Sequence, residues 1–209
     1  MGLRNERDII AIHVETFHAV NALADHLDAA ATKYTEKYGK KKSPVKRFGE
    51  LVHAHTPGHH DKATQLHDLS QEMHEIAGEP ELNQKKVLES LTKLYGILDS
   101  LSAKKGRLKT YLGEPDRIDK LILDVIYKMY PDIKEASSVA RSQQSLFKTP
   151  KISEIWSCEL LKNTEIKNQI LNTGGQLNRE SVKALLPQLM KESPKINIES
   201  EEVSHILKK

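Results

Sequence analysis

The chain has 209 residues, 38% hydrophobic and 29% charged, with a formal net charge of +3. That length suits one domain, or one domain with an appendage, and is enough to bury a core. No apolar run approaches the roughly 20 residues of a membrane span, the small net charge gives no whole-surface case for nucleic acid, and one cysteine, Cys158, excludes an internal disulfide and a cysteine-built zinc site.

The opening "MGLRNERDII" carries charge where a secretory signal needs an apolar stretch, and Glu6 stands where myristoylation needs Ser or Thr. A reducing compartment is the expectation. Strand signals are nearly absent. Ile10, His13, Phe17, Val20, Ala24, Leu27, Ala31, Tyr34 and Tyr38 recur in steps of three and four. They predict one long helix over 5–38 with a single apolar stripe, ended by Gly39. Ser43-Pro44 reads as an N-cap with proline at the first helical position, and Val45, Phe48, Val52 and His55 continue at helical spacing. Pro57-Gly58 then breaks the chain. Leu66, Leu69, Met73 and Ile76 mark the next helix, closed by Gly78. Pro80 opens another, with Val87, Leu91, Leu94, Leu98 and Leu101, stopped by Gly106. Pro115 starts a further helix through Ile118, Ile122, Val125 and Met129, and 132–147 reads as helix again. After "KTPK" come shorter pieces at 153–162, 164–172 and 178–191, the last capped by Asn178 and expected to kink at Pro187. The prediction is an all-α protein. It has an antiparallel bundle of about six helices over 1–148, a small C-terminal helical subdomain over 149–191, and a flexible tail over 192–209 set off by Pro194.

Residues 53–60 read "HAHTPGHH", and His53, His60, His67 and His74 fall seven apart. Seven residues of helix separate side chains by about 10 Å, whereas a metal holds imidazoles at about 2 Å. Two ligands on one helix want a spacing of three or four. At that spacing His60 meets Ala63 and Thr64, while His67 and His74 meet Ser70 and Gln71, with no second histidine or carboxylate. These histidines therefore read as a solvated, titratable face beside the apolar seam. The Pro57-Gly58 corner offers another arrangement, in which His53, His55, His59 and His60 converge on zinc or another transition metal. "QLHDLSQ", around His67-Asp68, resembles the histidine-aspartate core of HD-type phosphohydrolases, which are all-helical. That resemblance implies a metal-dependent hydrolase using the His53–Asp68 cluster, and it is the alternative to a binding protein. Glu15-x-x-His18 has the spacing of helical di-iron proteins, but both residues face away from the stripe. His13 lies on the stripe, where burial favours a neutral ring.

"KYGKKKSPVKR" holds Lys37, Lys40, Lys41, Lys42, Lys46 and Arg47 with no acid. Lys40–Lys42 lead into the predicted helix start at Ser43-Pro44, where free amides and the helix dipole favour anions. Such a corner suits an anionic membrane surface or an acidic or phosphorylated protein. Small net charge and scarce aromatics argue against nucleic acid.

The chain closes on "ESPKINIESEEVSHILKK", with Glu199, Glu201 and Glu202 upstream of Ile206 and Leu207. This resembles the C-terminal signal of effectors exported by Dot/Icm-type IVB secretion systems, as in Legionella-like intracellular bacteria. The resemblance covers the tail only. It implies synthesis in a bacterial cytoplasm, injection into a host cell, and action on a host protein or membrane. The expected function is thus a non-enzymatic helical binding protein without a cofactor, of open oligomeric state.

Overall fold

The computed structural model describes residues 6–39, 59–102, 115–144 and 155–196. The chain is an all-α helical bundle, and the described residues contain no strand. Its helices are α1 (Glu6–Gly39), α2 (His59–Ala77), α3 (Gln84–Ser102), α4 (Pro115–Met129), α5 (Pro131–Gln144), α6 (Thr164–Asn172) and α7 (Arg179–Ile196), with a 3-10 turn at Leu160–Lys162 before α6. The helix read around Val45–His55, the continuation to Phe147 and the linker "KTPK" lie outside the described residues.

The principal packing contacts form a closed circuit: α1 to α2, α2 to α3, α3 to α7, α7 to α6, α6 to α5, α5 to α4, and α4 back to α1. Side-chain ties fix the directions. Ser70 Oγ donates to the Ala24 carbonyl at 2.9 Å, and His67 and His74 meet Asp28 and Asn21, so α2 runs antiparallel to α1. Glu72 accepts from Ser90 and Lys93, and Glu79 from Lys86, so α3 reverses again. Arg179 binds Asp119 and Lys183 binds Asp99, setting α7 against the C-terminal half of α3 and the start of α4. Lys128, at the other end of α4, reaches Glu15 near the start of α1. In α1–α4 the chain therefore runs up, down, up and down.

The predicted seams are buried: Val20, Ala24, Leu27 and Ala31 in α1, and Leu66, Leu69, Met73 and Ile76 in α2. α1 buries more than one stripe. Thr16, Ala19, Leu23 and Ala30 are also covered, because α1 is flanked by both α2 and α4. Its N-terminal turns are less covered: Ile10 is 40% exposed, and His13 and Phe17 are half-buried. α3 is the most enclosed helix, with Val87, Leu88, Leu91, Leu94, Tyr95, Ile97, Leu98 and Leu101 all buried. Each large aliphatic side chain fully withdrawn from water stabilises the fold by about 1.5–3 kcal/mol, so the enclosed leucines of α3 anchor the bundle. Buried Leu160, Leu161, Ile166, Ile170, Val182, Leu185, Leu186 and Leu189 extend the same core into the C-terminal helices.

Three local features differ from the sequence reading, while the end of α6 at Gly174-Gly175, the pair that separates the pieces predicted at 164–172 and 178–191, agrees with it. α3 starts at Gln84 rather than Pro80, because the Asn83 side chain accepts from the Lys86 amide at 3.1 Å and supplies the N-cap. The stretch 153–162 forms turns and the short 3-10 segment rather than a helix. α6 ends at a double-glycine turn, where the Gly175 amide donates to the Ile170 carbonyl and the Gly174 amide to that of Leu171. That 6→1 and 5→2 pair is a Schellman motif, and it requires the positive φ of Gly174 (57°). Finally, α7 runs through Pro187 and past Pro194 to Ile196, so the helix extends into the stretch expected to be tail. Pro187 is exposed, so the one N–H that its ring removes from the helix lies on the solvent side rather than in the core. The start of α7 is as predicted: Asn178 Oδ1 accepts from the Ser181 amide at 3.0 Å, and Ser181 Oγ accepts from the Asn178 amide at 2.7 Å.

Candidate functional site

Three groups of polar side chains can be placed on this frame. The first is the rim between α1 and α2. There His67 Nδ1 lies 2.8 Å from Asp28 Oδ1, and its Nε2 is 3.0 Å from Gln71. One α-helical stretch further along, His74 Nδ1 lies 2.9 Å from Asn21 Oδ1, and its Nε2 is 3.4 Å from Asp25. The sequence reading found Gln71 beside His67 but missed the carboxylates, which lie about forty to fifty residues away on α1. A seven-residue histidine period on α2 met by polar residues on α1 is the signal that would have found them. The rings are roughly half exposed, at 49% and 41%, so these pairs are solvent-screened interhelix ties. Asp68, beside His67, is exposed.

The second group joins three helices. Arg179 donates from Nε and a terminal nitrogen to both oxygens of Asp119, each at 2.9 Å. Lys183, one turn on, donates to Asp99 at 2.9 Å. The bidentate bond to Asp119 raises Arg179 above its ordinary value, against the opposing effect of burial. Tyr95 is buried beside this pair. Burial first, and the Asp119 carboxylate second, push its phenol well above the ordinary tyrosine value.

The third group lies around the start of α1. Lys128 hydrogen-bonds Glu15 and holds its carboxyl below the usual range. Partial burial lowers His13, with Glu81 opposing, so the neutral ring is favoured there. Glu72, on α2, shows a similar balance: burial acts to raise it, but hydrogen bonds from Lys93 and Ser90 leave it lowered.

Among the described residues no group of three or more His, Cys, Asp or Glu side chains is arranged to hold a metal ion. Of the four histidines at the Pro-Gly corner, His59 and His60 open α2, with side chains outside the described residues, and His53 and His55 lie outside them altogether. The basic corner falls outside as well: Lys40, Lys41, Lys42, Lys46 and Arg47 follow the last residue of α1. So do Glu199, Glu201, Glu202, Ile206 and Leu207 of the tail. The structure does give the anchor points of the corner. α1 ends at Gly39 and α2 begins at His59, and because the two are antiparallel both points lie at the same end of the bundle. No described helix is long and apolar enough to cross a membrane.

No family model matches the sequence, and searches of curated proteins and of solved structures found no match.

Proposed function

We propose that this protein acts by binding, as a non-enzymatic helical scaffold that meets an anionic partner at the end of the bundle where α1 stops and α2 starts. The observation that carries this reading is the position of those two helix ends. They bracket 40–58, whose N-terminal part holds Lys40, Lys41, Lys42, Lys46 and Arg47 without an acidic neighbour. The chemistry of the described polar groups supports the same reading. His67, His74, Asp119, Arg179, Asp99 and Lys183 each join one helix to another. The tail, with Glu199, Glu201 and Glu202 ahead of Ile206 and Leu207, supports an exported effector whose partner is a host protein or host membrane.

Two measurements test this. Replacing Lys40, Lys41 and Lys42 by Gln is expected to weaken binding to anionic vesicles at low salt at least ten-fold, since each basic residue near such a surface is worth about 1 kcal/mol. Unchanged binding would refute the corner. Tag-free protein, dialysed and assayed for metal beside His60→Ala, is expected to carry less than stoichiometric zinc. One equivalent lost in the mutant would instead support the hydrolase reading of the His53–Asp68 cluster.

A further inference from the structure

The first turns of α1 leave apolar side chains in water. α2 is antiparallel to α1, with His74 opposite Asn21, so its last residue, Ala77, falls level with Phe17. α1 therefore projects past the end of α2 by about two turns. Ile10 and Val14, one turn apart on that projection, are 40% and 45% exposed. They are two of the three large apolar side chains exposed among the described residues. His13 and Phe17 pack beside them, with ring centroids 6.5 Å apart.

The surface that continues from this patch has one sign of charge. The stretches 10–32 and 63–81, nearly all of the described α1 and α2 and the turn that follows, hold eight acidic residues and no lysine or arginine. Lysines of other helices meet three of the eight: Lys128 at Glu15, Lys93 at Glu72 and Lys86 at Glu79. Glu81 lies near His13. Asp28 and Asp25 face His67 and His74, and Asp68 and Glu75 are exposed two turns apart on the outer side of α2. Among the described residues no lysine or arginine pairs with these last four.

We infer that the outer face of α1 and α2 docks a basic, amphipathic helix of a partner protein. Apolar side chains of that helix cover Ile10 and Val14, and its lysines or arginines run along Asp25, Asp28, Asp68 and Glu75. Ile10, Val14, Asn21, Asp25 and Asp28 follow in steps of four, seven, four and three, so they form one stripe of α1. From Ile10 to Asp28 the stripe runs about 27 Å. His67, Gln71 and His74 of α2 lie along it, so the two antiparallel helices frame a shallow groove, their axes about 8–10 Å apart. A helix laid in such a groove anchors through an apolar pair at i and i+4, the spacing of Ile10 and Val14. Charge selects the occupant. A second copy of this chain would set carboxylate against carboxylate, and an anionic bilayer or nucleic acid is repelled, whereas a basic helix is complementary. This face is distinct from the basic corner and opposite to it in sign, so the two readings stand or fall separately.

The test is fluorescence anisotropy at low salt with a labelled amphipathic peptide of leucine, alanine and lysine, about 18 residues long to match the stripe. The same peptide with glutamate for lysine is the reference. Five full-length proteins are compared: wild type; the acidic variant Asp25→Asn/Asp28→Asn/Asp68→Asn/Glu75→Gln; the smaller variant Asp68→Asn/Glu75→Gln, which keeps both histidine ties; the apolar variant Ile10→Ser/Val14→Ser; and the charge-matched control Asp116→Asn/Asp124→Asn/Glu135→Gln/Glu165→Gln. The control sites are exposed on α4, α5 and α6. Circular dichroism checks that each is folded. Wild type and control are expected to bind the lysine peptide and not the glutamate one. The acidic variant is expected to lose about ten-fold and the smaller one about three-fold, as for exposed charge contacts acting together. The apolar variant is expected to lose about ten-fold, as for two aliphatic contacts. Should the acidic variant fail to fold, the smaller and apolar variants decide. Either of those two binding like wild type overturns the groove. Equal loss in the control reduces the effect to total charge and overturns it as well. Wild type that binds neither peptide overturns the inference and leaves the corner reading, tested on vesicles, standing. Two other occupants would overturn the partner assignment. A dimer in sedimentation equilibrium that Ile10→Ser/Val14→Ser abolishes would assign the face to a second copy. Tighter peptide binding by Lys40→Gln/Lys41→Gln/Lys42→Gln would assign it to the chain's own basic segment.

Discussion

Gly175 and Gly96 show how one residue type can serve opposite ends. Gly175 has φ +75°, and a Cβ there would sit 2.0 Å from the Ser137 carbonyl oxygen of α5. Gly175→Ala combines left-handed strain of about 1–2 kcal/mol with an overpacking cost of about 1–3 kcal/mol. A large drop in the urea midpoint is expected. Gly96 lies within α3, where an added Cβ meets nothing within 4 Å. Gly96→Ala should stabilise by about 0.5–1 kcal/mol, because alanine loses less backbone freedom in a helix. A destabilised Gly96→Ala would mean that α3 packs against something at that face. Tyr95 gives a pH prediction. Its folded-state phenol titrates above its unfolded value, so the native state holds the proton more tightly. That contribution is complete below the unfolded value of about 10 and is lost as pH rises toward the folded one. Stability should therefore fall from mildly to strongly alkaline pH. Tyr95→Phe should fall less steeply, and the difference between the two curves removes the lysine contribution common to both.

At the level of elements, the helices cohere through apolar seams and a few specific ties. The Arg179–Asp119 bond is bidentate, with side chains 19% and 29% exposed, so water screens it less than the rim pairs of α1 and α2. A double-mutant cycle over Arg179→Ala and Asp119→Ala should give a coupling of about 1–3 kcal/mol. The same cycle on His67 and Asp28 should give under about 1 kcal/mol. Comparable values would mean that the half-exposed rim is better shielded than its exposure indicates. The seams of α2, α3 and α4 were legible because three-four periodicity directly encodes one buried face. α1 was read less well. Periodicity showed its principal stripe, but Thr16, Ala19, Leu23 and Ala30 are buried only because a second helix lies on that side. Thr16, Ala19 and Ala30 carry little apolar signal of their own, and Leu23, though strongly apolar, lies off the three-four stripe.

For the whole molecule, the distribution of charge matters more than its total. If the proposed basic corner meets an anionic bilayer, association with phosphatidylserine vesicles should weaken steeply as salt rises from low to physiological, because corner and bilayer interact through screened charge. Salt-insensitive binding would indicate an apolar mode through the interspersed aromatic and aliphatic residues. The corner was legible as a local run of cations. By contrast, His67 and His74 read as a solvated face until α1 brought Asp28 and Asp25 against it.

The amino-acid pattern alone determined the all-α class, most of the helices, the main buried seams and the caps at Asn178 and Gly174-Gly175. Each of these depends on residues within about one or two helical turns of one another, where spacing stands directly for geometry. Only the tertiary structure decided which helices are neighbours, which carboxylates face His67 and His74, that Arg179 grips Asp119, and that α1 stops at the same end of the bundle where α2 starts. Those are relations between distant segments, set by which apolar faces pack together, and no local period records the choice.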